Sequence, residues 1–111
     1  MQNYNYIFAM NLMRFEWDLA KAATNVKKHG ISFETAARVF ADPFVLIEQD
    51  RIEGGEQRWQ ALGSVDGLAI LLVAHTVYED AEDDGQTYEV IRIISARKAD
   101  PRERRRYEEE R

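Results

Sequence analysis

Leu68-Ala69-Ile70-Leu71-Leu72-Val73-Ala74-His75-Thr76-Val77 reads as the longest strand in the chain. Leu71, Val73 and Val77 alternate with Leu72, Ala74 and Tyr78. A two-residue period with apolar groups on both sides is the signature of a central strand. On one flank, Tyr88–Ala96 reads as the next strand, with Ile91 and Ile93 opposite Arg92, and Ile94 on the arginine side. On the other flank, Arg58–Leu62 sets Arg58 and Gln60 against Trp59 and Ala61, and Val45–Glu48 forms a fourth strand. The connections are Glu53-Gly54-Gly55, Ser64-Val65-Asp66-Gly67 and an acidic tip from Glu79 to Gly85. Links this short join antiparallel neighbours. One face of the predicted sheet is therefore apolar and the other carries arginines.

Before the strands the period is helical. Asp18 is an N-cap, Leu19, Ala22, Ala23 and Val26 come next at helical spacing, and Gly30 stands at C′. Ser32 caps a second helix with Phe33, Ala36, Ala37 and Phe40 on one face, stopped by Asp42-Pro43. Arg14–Trp17 is either a short strand or an extended lead-in. Residues 1–12 share no periodicity with the rest of the chain and are expected to be an N-terminal extension outside a domain spanning 13–111. At the other end Asp100, Pro101 and Glu103 occupy N-cap, N1 and N3 of a final helix, a capping box. The expected fold class is α+β: two N-terminal helices packed on a four-stranded antiparallel sheet, plus a C-terminal helix.

The chain has 111 residues, enough for one domain with its own core. It has no cysteine, which excludes disulfides, cysteine-ligated metals and thiol nucleophiles. No apolar run approaches the length of a membrane span, and no signal peptide is recognisable, so a cytoplasmic location is expected. Net charge is −5, but it is segregated. Arg92, Arg97, Lys98, Arg102, Arg104, Arg105 and Arg106 stand against Asp100 and Glu103, a local +5 that leaves −10 for the remainder. A basic segment on an acidic body points to a local anionic partner.

Arg58, Arg92 and Arg97 are the candidate centre. A guanidinium is a planar fork of donors that stays charged and suits an RNA phosphate. The competing reading is that each pairs with a carboxylate such as Glu16, Asp50 or Glu56 and completes the sheet surface. The final helix carries arginines in its first turns and Glu108, Glu109 and Glu110 in its last, against the helix dipole. The helix is either a solvated one with self-pairing charges or a phosphate-binding one; on the second reading Lys98, Arg102 and Arg105 are the candidates to hold RNA. His75 is a candidate proton carrier or a hydrogen-bonded core histidine. Tyr107 is a candidate proton donor or base-stacking group, or the anchor of the final helix. His29, at a helix C-terminus, is explained by the dipole. The acidic tip lacks the register of a calcium loop and reads as a solvated hairpin end. No metal site or cofactor is expected.

From Met13 onward the chain resembles the BrnT family of bacterial type II toxins. The resemblance rests on Phe15-Glu16-Trp17-Asp18, Ala20-Lys21, Asn25 and Lys28-His29-Gly30. It continues through Ser32-Phe33-Glu34, Ala36-Ala37, Val39-Phe40 and Asp42-Pro43. Arg92-Ile93-Ile94-Ser95-Ala96-Arg97-Lys98-Ala99, Arg102-Glu103-Arg104 and Tyr107-Glu108 complete it. It implies a fold similar to RelE-type toxins and a metal-independent endoribonuclease that halts translation. It also implies a ribbon-helix-helix antitoxin, BrnA, through which the pair would bind operator DNA. The alternative from another class is a non-catalytic antitoxin-binding partner and co-repressor using the same arginine face. The extra N-terminal residues and the acidic tip depart from the family pattern.

Overall fold

The computed structural model describes residues 13–110 and the backbone of residues 3–7. The elements are β1 (Asn3–Ile7), β2 (Met13–Asp18), α1 (Leu19–His29) and α2 (Phe33–Ala37), which tightens into a 3-10 turn at Arg38–Ala41. After these come β3 (Leu46–Glu53), β4 (Glu56–Val65), β5 (Ala69–Ala81), β6 (Thr87–Lys98) and α3 (Pro101–Glu110). The strands form one sheet in the order β1-β2-β6-β5-β4-β3.

β3 to β6 make the expected antiparallel meander. The sheet is nonetheless larger than expected and mixed. β2 joins β6 in parallel, from Met13↔Glu89 to Glu16↔Arg92, and β1 pairs antiparallel with β2. A six-residue segment with two buried aromatics is too short to show a period; it becomes a strand because β6 offers it an edge. Of residues 1–12, expected as an extension, 1, 2 and 8–12 lie outside the described residues, while the backbone of 3–7 lies on β2.

β2 and β3 lie on opposite sides of the β4–β6 meander, so the chain between them crosses one face. That crossing is α1, α2 and the 3-10 turn. Phe33, Ala36, Ala37, Val39 and Phe40 bury against Phe15 and Trp17 of β2, Ala61 and Val65 of β4, Leu71 and Val73 of β5, and Ile91, Ile93 and Ala96 of β6. Trp17 meets Phe33 edge-on at 6.0 Å, and Phe15 and Phe40 lie 5.4 Å apart. Gly63 permits the closest approach, since a Cβ there would stand 2.8 Å from Val39 Cγ1.

The helix caps form as expected. Asp18 accepts from the N–H groups of Ala20 and Lys21, Gly30 adopts φ 72°, and Ser32 accepts from the Thr35 N–H. The expected apolar face of α1 reaches the core only through Ala22, which packs against it half-buried. Leu19 and Val26 remain 48% and 47% exposed, and the buried residue of α1 is Asn25. The cause is position: α1 runs along the edge of β6 beyond the four residues that β2 pairs. There Asn25 Nδ2 donates to the carbonyls of Ala96 (2.8 Å) and Ile31 (2.9 Å), and Oδ1 accepts from the Ala96 N–H (3.1 Å). One amide side chain thus supplies what a neighbouring strand would.

Candidate functional site

The second face of the sheet is divided. At one end α3 covers it, with Tyr107 and Ala99 packed on Leu62 and Leu72. The capping box holds α3 at its start: the Asp100 N–H donates to Glu103 (2.9 Å) and the Glu103 N–H to Asp100 (2.8 Å). The other end is left to polar side chains. Thr76 pairs with Arg92 across β5 and β6, and Trp59 pairs with His75, which sets Arg58 one step along beside Thr76. Arg58, Thr76 and Arg92 form a row across three strands, with the outer Cα atoms about 10 Å apart at ordinary strand spacing. Arg97 lies on the same side, roughly 15 Å further along β6.

Each of these arginines has a carboxylate, as the competing reading required. Arg92 donates to Glu16 Oε2 (2.9 Å), whose Oε1 accepts from the Tyr78 hydroxyl (2.9 Å). Arg58 meets Glu53 at 3.2 Å. Arg97 grips Glu103 with two bonds of 2.8 and 2.9 Å. Arg106 reaches Glu48 at 2.6 Å, and Arg14, stacked over Tyr88 at 3.7 Å, bonds to Glu82 of the acidic tip.

The pairs differ in how firmly they are made. The side chains of Glu16 and Glu103 are 11% and 15% exposed, whereas Glu48, Glu53 and Glu82 lie between 42% and 51%. An incoming phosphate can displace an exposed carboxylate at small cost, because exposed pairs contribute little. Displacing a buried one leaves a desolvated charge. Two side-chain atoms near the row are buried without a hydrogen-bond partner, Arg58 Nε and Thr76 Oγ1. Burial, and next the bond to Glu16, push the Tyr78 phenol up to about 12, so it remains a donor at neutral pH. The Arg97 fork holds the Glu103 carboxyl below its ordinary range.

The other sequence candidates are dispersed. His75 lies on the helix side, 1% exposed and edge-on to Phe40 at 4.9 Å; burial pushes its imidazole down to about 4. Tyr107 is 2% exposed and donates to Asp42 Oδ2 (2.5 Å), which also accepts the Ser64 N–H (2.8 Å). Its hydroxyl therefore ties α3 to the turn before β3. Lys98, Arg102 and Arg105 are exposed around α3. Glu16 and Tyr78, which touch the Arg92 row directly, were absent from the sequence candidates for catalysis. Glu16 carried a signal, alternating with Phe15 and Trp17, but it reaches Arg92 only through the parallel β2–β6 pairing.

Fold and face together define an α+β protein that presents ion-paired arginines beside a buried carboxylate on one side of a mixed sheet. The family model described as "Ribonuclease toxin, BrnT, of type II toxin-antitoxin system" matches residues 17–103, and the chain belongs to that family. Such a system pairs its toxin with an antitoxin. The crystal structure of the Brucella abortus ribonuclease toxin, BrnT, is similar, with 24% identity, a TM-score of 0.49, and coverage of 76% of this chain and 92% of that one. No curated protein matches the chain. Among the described residues, no helix is long and apolar enough to cross a membrane.

Proposed function

We propose that this chain is a metal-independent endoribonuclease that halts translation, and that the Arg58–Thr76–Arg92 row is where the scissile phosphate sits. The observation that carries the reading is the convergence of two sheet arginines with a carboxylate held by two donors, Arg92 and Tyr78. In RNA cleavage without a metal, the 2′-hydroxyl attacks the adjacent phosphorus, the P–O5′ bond breaks, and a 2′,3′-cyclic phosphate and a protonated 5′-hydroxyl result, the proton given up by the 2′-hydroxyl being returned to the 5′-oxygen through the carboxylate or water. Arg58 and Arg92 stabilise the charge that grows on the phosphorane, which is worth most at a partly desolvated site. Glu16 is the acceptor beside them for the 2′-hydroxyl proton. Arg97, with Lys98, Arg102 and Arg105, holds the backbone on either side of the cut. His75 and Tyr107 are assigned to packing rather than to proton transfer.

Neutralisation uses the same surface. A ribbon-helix-helix antitoxin of BrnA type would present acidic groups to the arginine face, and through it the pair would bind operator DNA. Arg92→Ala and Arg58→Ala are expected to abolish growth inhibition on induction while the chain stays soluble and folded, and to weaken antitoxin binding without abolishing it. Loss of toxicity only with loss of soluble protein would assign these arginines to sheet stability. Retained co-repression by a chain that never cleaves RNA would favour the non-catalytic partner.

A further inference from the structure

Beside the arginine face, α1 and β6 enclose a groove of about 290 Å³ whose lining includes Lys21, Thr24, Asn25, Lys28, Ile94 and Ser95. It exists because the β5–β6 register shifts between Ala74 and His75, opposite Ile94, and because β2 has ended there. Lys21, Thr24, Asn25 and Lys28 fall at the spacing of one helix stripe, so α1 turns a single side to β6. No lining residue is acidic. Unlike the paired arginines, the Lys21 and Lys28 ammonium groups make no ion pair among the described residues. Asn25 is fully committed to Ala96 and Ile31, while the Thr24 and Ser95 hydroxyls remain as neutral donors and acceptors.

We infer that this groove is a subsite for one nucleotide of single-stranded RNA flanking the cleaved bond, its phosphate held by Lys21 and Lys28 and its sugar by Thr24 and Ser95. The inference rests on the ribonuclease reading and extends its RNA path. Size favours one nucleotide, being at the lower end of small-ligand sites and too narrow for a duplex. Continuity favours RNA over an unrelated anion, because Ser95 lies between Arg92 and Arg97 on β6. Lys21 also acts electrostatically on Glu53, the partner of Arg58, lowering its carboxyl after the larger effects of Arg51 and Arg58.

The test is binding of a single-stranded 2′-O-methyl oligonucleotide, which lacks the nucleophile and stays intact, by the antitoxin-free chain at several salt concentrations. Lys21→Ala/Lys28→Ala is expected to weaken binding about tenfold and to reduce the salt slope by about 0.7, one phosphate contact on a single strand. Both lysines are exposed, so the thermal midpoint should be unchanged. Lys27→Ala, on α1 but outside the groove, should bind as the wild type does; an equal loss there would reduce the effect to net charge and overturn the subsite. A wild type that cleaves RNA, with a double variant that binds normally, overturns the subsite and leaves the ribonuclease reading standing. Normal RNA binding with loss of antitoxin binding makes the groove a protein interface and overturns it as well. A wild type that neither binds nor cleaves RNA overturns the ribonuclease reading itself.

Discussion

Asn25 does with one side chain what a further strand would do with its backbone, and its removal has a calculable cost. Asn25→Ala strips partners from the Ala96 N–H, the Ala96 carbonyl and the Ile31 carbonyl. At about 1–3 kcal/mol for each buried group left unsatisfied, and with partial relaxation, a loss of about 3 kcal/mol is expected in urea unfolding. A change within about 0.5 kcal/mol would mean that water replaces the amide. His75 makes a second prediction at this scale. Its folded imidazole titrates near 4 against 6.5 in the unfolded chain, so the unfolded state takes the proton first. This contribution is complete above pH 6.5, is lost as pH falls toward 4, and amounts to about 3 kcal/mol. His75→Leu should flatten the wild-type dependence over that window, and imidazole NMR shifts should show no titration near neutrality. Alternation within single strands was enough to place Arg58, Arg92 and His75 on their faces from the sequence. Glu16 was among the carboxylates named as partners for these arginines, but alternation could neither assign it to Arg92 nor add Tyr78, because that contact crosses three strands.

Elements were legible wherever their ends carry local chemistry. Asp18, Gly30, Ser32 and the Asp100–Glu103 box all act as their residue types demand, since a cap is satisfied within a few residues. Asp100→Ala should cost about 1 kcal/mol by opening that box, read as a lowered Tm. β2 was ambiguous because a short strand is defined by its neighbour. The helical period of α1 misassigned its buried side because amphipathicity shows which residues are apolar, whereas the edge position of α1 decides which are covered. The seam between the 3-10 turn and β4 can be tested separately. Gly63→Ala forces a methyl against Val39, with Asp42 Oδ2 and the Val39 carbonyl both at 3.2 Å, and should destabilise by about 1–3 kcal/mol. A neutral result would show that Val39 can yield.

At the scale of the whole molecule, a net charge of −5 coexists with a face rich in arginine because the face is ion-paired within itself. The sequence exposed the segregation of charge but not the pairing, which depends on carboxylates from β2, β3, α3 and the acidic tip. On the proposed RNA path, RNA exchanges places with the exposed Glu53, Glu82 and Glu48, while Glu16 and Glu103 stay. Binding should weaken steeply with salt, as expected when phosphates replace carboxylates. The most direct measurement is cleavage of a defined single-stranded RNA by the antitoxin-free chain, with and without EDTA, beside Arg92→Ala and Arg97→Ala. Metal-free catalysis on the arginine face requires cleavage that survives EDTA, leaves a cyclic phosphate end, disappears in Arg92→Ala and falls in Arg97→Ala. Cleavage abolished by EDTA, or undiminished in Arg92→Ala, would contradict it.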